Sequence, residues 1–207
     1  MLNNVKITDI KKTKKGFNAL FVDDEFLFSV DDVVLYQNNI QIGSCLSQQE
    51  LACVSKQSQN GKAVDKCYTL LSYRMHSKKE LYDKLCKNFD GETSHYAVNK
   101  MEELGLIDDF QFAQMKAEYL LNVKKYSLSA IKMKLLSLGI DKYTIDSVLL
   151  NFKLDNQIDD IVRLLQIKYS QKLSQPQKVI ASLIRKGFRY GEIKSAMNIL
   201  EIDLQEY

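Results

Sequence analysis

Residues 63–71 read AVDKCYTLL, and the same apolar spacing returns at 113–121, AQMKAEYLL, and again at 161–169, IVRLLQIKY. Ala63, Cys67, Leu70 and Leu71 match Ala113, Ala117, Leu120 and Leu121 fifty residues on; forty-eight beyond those, three of the four slots hold Ile161, Leu165 and Tyr169. Apolar residues at i, i+4, i+7 and i+8 share one face of a 3.6-residue helix, so one amphipathic helix is expected three times. A second helix repeats in the same steps through Leu81 and Leu85, Ile131 and Leu135, Val179 and Leu183. A third repeats in steps of 48: Ala97, Met101, Leu104; Ile145, Leu149, Phe152; Ile193, Met197, Leu200. The change of step places two extra residues in the connection 88–93 of the first repeat.

Punctuation agrees with three three-helix modules. Ser77 with Glu80 forms a capping-box pattern opening a second helix, Ser127 holds the same slot in the next repeat, and Gln175-Pro176 puts proline in a first helical turn. Gly139 and Gly187 stand where a left-handed residue stops the second helices of repeats two and three, and Asn88 is the expected substitute in repeat one. Gly105 ends a third helix, and Asp108-Asp109 caps the helix that follows.

Ahead of the repeats the pattern differs. Ile7 to Lys12, Phe17 to Val22 and Phe26 to Val30 are β-branched and aromatic, with breaks at Lys14-Lys15-Gly16 and Asp23-Asp24-Glu25, and predict three short strands. Short helices behind Asp31-Asp32 and at Ser47-Gln48-Gln49-Glu50 close this module. The polar stretch 55–62, SKQSQNGK, reads as a link, with a boundary near Gly61. The expected fold is mainly α: three tandem three-helix, helix-turn-helix-like repeats in an elongated array, preceded by a small β-hairpin or three-strand module. The expected segments are 1–61, 62–109, 110–157 and 158–207.

Composition supports this. Among 207 residues there are 8 Gly and 1 Pro, too few for an all-β chain that turns every roughly 8–12 residues. No apolar run approaches a membrane span and MLNNVKITDIKK has no signal-peptide core, so a cytoplasmic protein is expected, with Cys45, Cys53, Cys67 and Cys86 as free thiols. No metal or cofactor is expected, since no CxxC pair occurs and His76 and His95 lack ligand spacing. No nucleophile, phosphate-loop or zinc-protease motif occurs, so catalysis is not expected; Asp108-Asp109 is read as a cap rather than a catalytic pair.

The net charge of +3 is an average. Residues 1–61 hold 6 Lys plus Arg against 7 acids and residues 62–109 hold 8 against 9, whereas 110–157 hold 7 against 4 and 158–207 hold 8 against 6. Lys124, Lys125, Lys132 and Lys134 gather at the start of one second helix, and Arg185, Lys186 and Arg189 bracket the end of another, beside Phe188 and Tyr190. Such clusters suit phosphates or an acidic protein surface. These seven residues are the candidate partner- and nucleic-acid-binding set. The third helices, 93–104 and 141–151, are nearly devoid of the arginine that reads base edges, which argues against sequence-specific recognition.

Two stretches carry a family resemblance. Arg74-Met75-His76-Ser77-Lys78-Lys79-Glu80-Leu81, and Leu104-Gly105-Leu106-Ile107-Asp108-Asp109 with Phe112-Ala113, resemble the R-x-x-S-x-x-E-L and L-G-L-I-D-D-x-x-F-A signatures of RecX, the bacterial regulator of the RecA recombinase. The resemblance extends over almost the whole chain and includes the strand module ending in FSVDD. It implies a monomer that binds the RecA filament on DNA, limits its growth or promotes its disassembly, and damps recombination and SOS co-protease activity, touching single- or double-stranded DNA weakly and non-specifically. The chain departs from the family at Asn122-Val123-Lys124-Lys125-Tyr126, where a Gly and several Arg are usual. Lysine keeps the charge there without bidentate geometry. Two other readings are a helix-turn-helix DNA-binding protein acting without RecA and an adaptor that bridges proteins.

Overall fold

The computed structural model describes residues 4–152, 157–173 and 175–202, and the chain divides into two compact units at Ile107/Asp108. The outermost parts of the expected strand module and third repeat, and the stretch before the third repeat's first helix, lie outside the described residues.

The first unit opens with the strand module. β2 (Asp9–Lys12), β3 (Asn18–Val22) and β4 (Glu25–Val30) form an antiparallel meander in that order, as the β-branched runs predict. The β3–β4 turn places both Asp23 and Asp24 at positive φ, 47° and 65°, the conformation a two-residue hairpin turn requires and aspartate tolerates. A further pair, β1 (Val5–Lys6) with β5 (Cys45–Leu46), is too short to leave a periodic signal. Ile7, Leu20, Val30, Val34, Leu46, Leu51 and Val54 bury together under α1 (Asp32–Gln37), which Asp31 caps through the Val34 amide at 2.7 Å.

Ser47 caps α2 (Gln48–Tyr73) in a complete capping box with Glu50. The helix is not short, and the expected link at 55–62 does not exist: α2 runs through it for 26 residues. Its polar residues serve contacts rather than a turn. Ser58 and Lys62 both donate to the Ser29 carbonyl of β4 at 2.6 Å, and a Cβ on Gly61 would lie 3.1 Å from the Asp31 carboxylate. One continuous helix therefore holds the sheet on one stretch and builds the first repeat with the next.

That repeat adds α3 (Lys78–Leu85) and α4 (Gly91–Glu103) around Ala63, Cys67, Leu81, Leu85, Ala97 and Met101. Leu104, expected inside, is the half-exposed C-cap of α4. Asn88 does not take the left-handed role: Asn88 and Phe89 both donate to the Leu85 carbonyl, and the longer connection closes without a positive φ there.

The second unit holds α5 (Asp109–Glu118), α6 (Leu128–Ser137), α7 (Lys142–Leu150), α8 (Gln157–Ile167), α9 (Pro176–Arg185) and α10 (Tyr190–Ile199). Asp108 caps α5 through the Phe110 and Gln111 amides, Ser127 caps α6, and Pro176 begins α9. Gly105, Gly139 and Gly187 sit at φ 68°, 81° and 88°. Each is followed by the reciprocal amide–carbonyl pair that satisfies a helix's last carbonyls, Phe188 to Leu183 at 3.2 Å in the third case. The last repeat buries Ile161, Leu165, Tyr169, Val179, Leu183, Phe188, Ile193 and Met197.

Candidate functional site

α5 does not stop cleanly. Its last residues widen into a π-helical turn, Tyr119–Val123, and Lys125 then adopts φ +57°, so the chain reverses within three residues and the Tyr126 amide reaches the Leu120 carbonyl at 3.0 Å. A left-handed residue with a Cβ costs about 1–2 kcal/mol; here it turns the lysine pair outward and brings Tyr126 over the start of α6.

The Tyr126 ring gathers cations. Lys134 of α6 lies 4.7 Å from its centroid and Lys186, at the end of α9, lies 5.3 Å away. Lys186 Nζ also donates to the Lys124 carbonyl, while Lys124 Nζ stands 5.5 Å over the Tyr119 ring. Burial, then the charges of Lys168, Lys124 and Lys125, hold the Lys186 amine below the ordinary lysine range. Lys134 and Lys186 thus share one aromatic ring, Lys124 is tied to Lys186 through its carbonyl, and the charges of Lys125 and Lys168 act on the same amine; the ion pairs among the described residues involve none of these five lysines. Gathering like charges without carboxylates is unfavourable in the free protein, and a polyanion relieves it.

The backbone beneath this group joins the second and third repeats. The Ser127 amide donates to the Lys186 carbonyl at 2.9 Å, and the hydroxyls of Ser127 and Ser129 reach the Gly187 carbonyl at 2.9 and 3.3 Å. The lysines from α6 and α9 are therefore set against each other by fixed main-chain geometry.

Of the seven expected residues, Lys124, Lys125, Lys134 and Lys186 come together. Lys132 does not: two residues from Lys134 on a helix, it points to the opposite side and pairs with Asp146 of α7. Arg185 folds back onto its own helix, Nε donating to the Ala181 carbonyl at 3.3 Å. Arg189 precedes α10, where its amide meets the Glu192 carboxylate at 3.0 Å. Lys168 is the member that the cluster counts missed, yet it left a signal. It fills the third slot of the repeated helix, where Leu70 and Leu120 stand, and is exposed where Leu120 is buried. Among the described residues no group of three His, Cys, Asp or Glu converges to hold a metal, and no helix is long and apolar enough to cross a membrane.

Tandem three-helix modules define a helical-repeat protein, here with a lysine group that joins no ion pair among the described residues. Sequence profiles for the first and second three-helix domains of RecX match residues 63–101 and 108–149. Regulatory protein RecX of Bacillus subtilis is 30% identical over 213 residues, spanning 97% of this chain and 78% of that protein. The Clostridioides difficile protein of the same name is 26% identical over 208 residues, 97% and 98% of the two chains. A crystal structure of regulatory protein RecX superposes with a TM-score of 0.66 at 25% identity, covering 96% of this chain and all of that one; a RecX structure from Lactobacillus salivarius gives 0.54 at 26%, covering 70% and 98%. The chain belongs to the RecX family.

Proposed function

We propose that this protein is a negative regulator of the RecA recombinase: it binds the RecA–DNA filament, limits its extension or stability, and so damps recombination and SOS co-protease activity. It acts as a cytoplasmic monomer without cofactor or catalysis of its own. The observation that carries the reading is the lysine group built on Lys134 and Lys186 at the Tyr126 ring, a preassembled cationic surface that joins no ion pair among the described residues. Within a filament both DNA phosphates and acidic protein surface meet such a group, and contacts repeated along the filament add through effective concentration. The third helices favour this over sequence reading: α7, KYTIDSVLL, offers no arginine for base edges.

The test is RecA ATPase on single-stranded DNA, titrated with this protein well below the RecA concentration. Sub-stoichiometric inhibition that weakens when Lys124, Lys125 and Lys186 are all changed to Glu supports a filament block through this surface. No inhibition at equimolar protein sinks it, and tight binding to bare duplex with sequence preference would point to a regulator acting on DNA alone.

A further inference from the structure

The strand module carries a charge separation that the Tyr126 group does not explain. Of the six basic residues in positions 1–61, five fall between Lys6 and Lys15, and four of these lie in the stretch KKTKKG, residues 11–16, that makes the end of β2 and the β2–β3 turn. Lys11 pairs with Asp9 at 3.1 Å and lies over the Phe21 ring, and Lys12 pairs with Asp32 at 2.6 Å. Both are spent on the module itself. Lys14 and Lys15, at the tip, are exposed and join no ion pair among the described residues. The other acids of the meander, Asp23, Asp24 and Glu25, sit at its opposite turn. The five residues of β3 separate the two turns by about 14 Å. That exceeds the Debye length of about 8 Å at physiological salt, so the acidic end does not neutralise the basic one.

The tip is also held in place. The Thr13 amide donates to the Phe17 carbonyl at 2.8 Å, Gly16 to the Thr13 carbonyl at 3.0 Å, and the Phe17 amide to the Thr13 hydroxyl at 3.1 Å. Lys62 of α2 reaches over the Phe17 ring while it and Ser58 hold Ser29 of β4. A fixed hairpin presents its two charges without first losing loop entropy on binding. We infer that the β2–β3 hairpin tip, through Lys14 and Lys15, is a second and sequence-independent contact for a nucleic-acid phosphate backbone. Lysine is depleted from protein interfaces, whose energetic centres are aromatic residues and arginine, and the tip holds neither. It also lacks the Asn, Gln or Arg that would read a base edge. Compact ammonium groups on a rigid turn suit phosphates as point charges.

The test uses the full chain and a fluorescein-labelled 30-nucleotide oligo(dT), with binding followed by anisotropy across a salt series. Each lost phosphate contact on single strands lowers the slope of log K against log salt by about 0.7, so Lys14→Ala with Lys15→Ala should make it shallower by about 1.4. Affinity should fall at every salt concentration below the point where the two lines meet, with the melting temperature unchanged, and Lys14→Arg with Lys15→Arg should keep the slope. Lys134→Ala with Lys186→Ala, measured in parallel, should lower the slope independently, so failure of either contact leaves the other visible. An unchanged slope in the hairpin variant overturns the inference. Weaker RecA inhibition with an unchanged DNA slope would assign the tip to an acidic protein surface and overturn it equally.

Discussion

The Ser127 hydroxyl donates to the Gly187 carbonyl at 2.9 Å while accepting the Ala130 amide at 3.2 Å as the cap of α6. One side chain thus begins the second helix of repeat two and grips the stop of the equivalent helix in repeat three.

This closeness makes Gly187 irreplaceable for two reasons. Its φ of +88° disfavours any L side chain, and a Cβ there would lie 2.4 Å from Ala130 Cβ and 2.5 Å from Ser127 Oγ. Gly105 shares the positive φ but has nothing within 4 Å. Gly105→Ala should therefore cost only the conformational term, about 1–2 kcal/mol, and Gly187→Ala a further ~1–3 kcal/mol of overpacking. Urea denaturation followed by circular dichroism measures both. Equal losses would show that the repeat junction yields freely.

Lys132 and Lys134 separate binding from packing. Lys132 pairs with Asp146 and should contribute at most about 1 kcal/mol to stability, as partly exposed pairs do. Lys132→Ala should leave the salt dependence of DNA binding unaltered. Lys134→Ala removes a member of the Tyr126 group and should lower that slope by about 0.7. The same salt series on both variants decides it; a larger effect from Lys132 would move the binding surface to the other side of α6.

What could be read in advance follows from the range of each signal. Caps and stops such as Ser127, Pro176, Gly139 and Gly187 are local, so their sequence spacing was enough. The 55–62 stretch misled because SKQSQNGK has the polarity of a loop, whereas Ser58 and Lys62 are polar to reach Ser29, a partner about thirty residues away. Lys132 was grouped by proximity in sequence although helical geometry already turns it away from Lys134. Lys168 is legible as the slot breaking the apolar repeat, but that its charge acts on Lys186 follows only from the fold. The second constraint on Gly187, its approach to Ala130, is tertiary and has no sequence trace.

The four cysteines should divide by environment. Cys45, Cys53 and Cys86 are exposed, whereas Cys67 is buried in the first repeat and burial pushes its thiol up to about 11. At pH 7 only about one Cys67 in ten thousand would be thiolate, the reactive form. Titration with a disulfide reagent should therefore show three rapid thiols and a fourth released on unfolding. Four rapid thiols would mean that α2 and its neighbours open readily around Cys67.

The loop before α3 should make stability fall in mildly acidic solution. His76 is buried, with Nδ1 2.9 Å from the Arg74 carbonyl, and burial is the main cause holding its pKa below 6.5, with Arg74 and Lys84 adding to the effect. A lowered histidine pKa means that the unfolded chain takes up a proton before the folded one. The His76 contribution is thus constant above pH 6.5, falls as pH drops from there toward the folded-state pKa, and levels off below it. Glu80 acts in a lower window: burial raises its pKa, but the Arg74 guanidinium at 2.9 Å outweighs that and leaves it below the usual value. Its contribution is present above the unfolded pKa of 4.5 and disappears as pH falls through the folded value. Urea midpoints of the wild type should therefore decline as pH falls below 6.5, and His76→Gln, whose amide can still donate to Arg74, should flatten that decline while leaving the separate loss below pH 4.5. A decline identical in both proteins would place the proton uptake elsewhere in the chain.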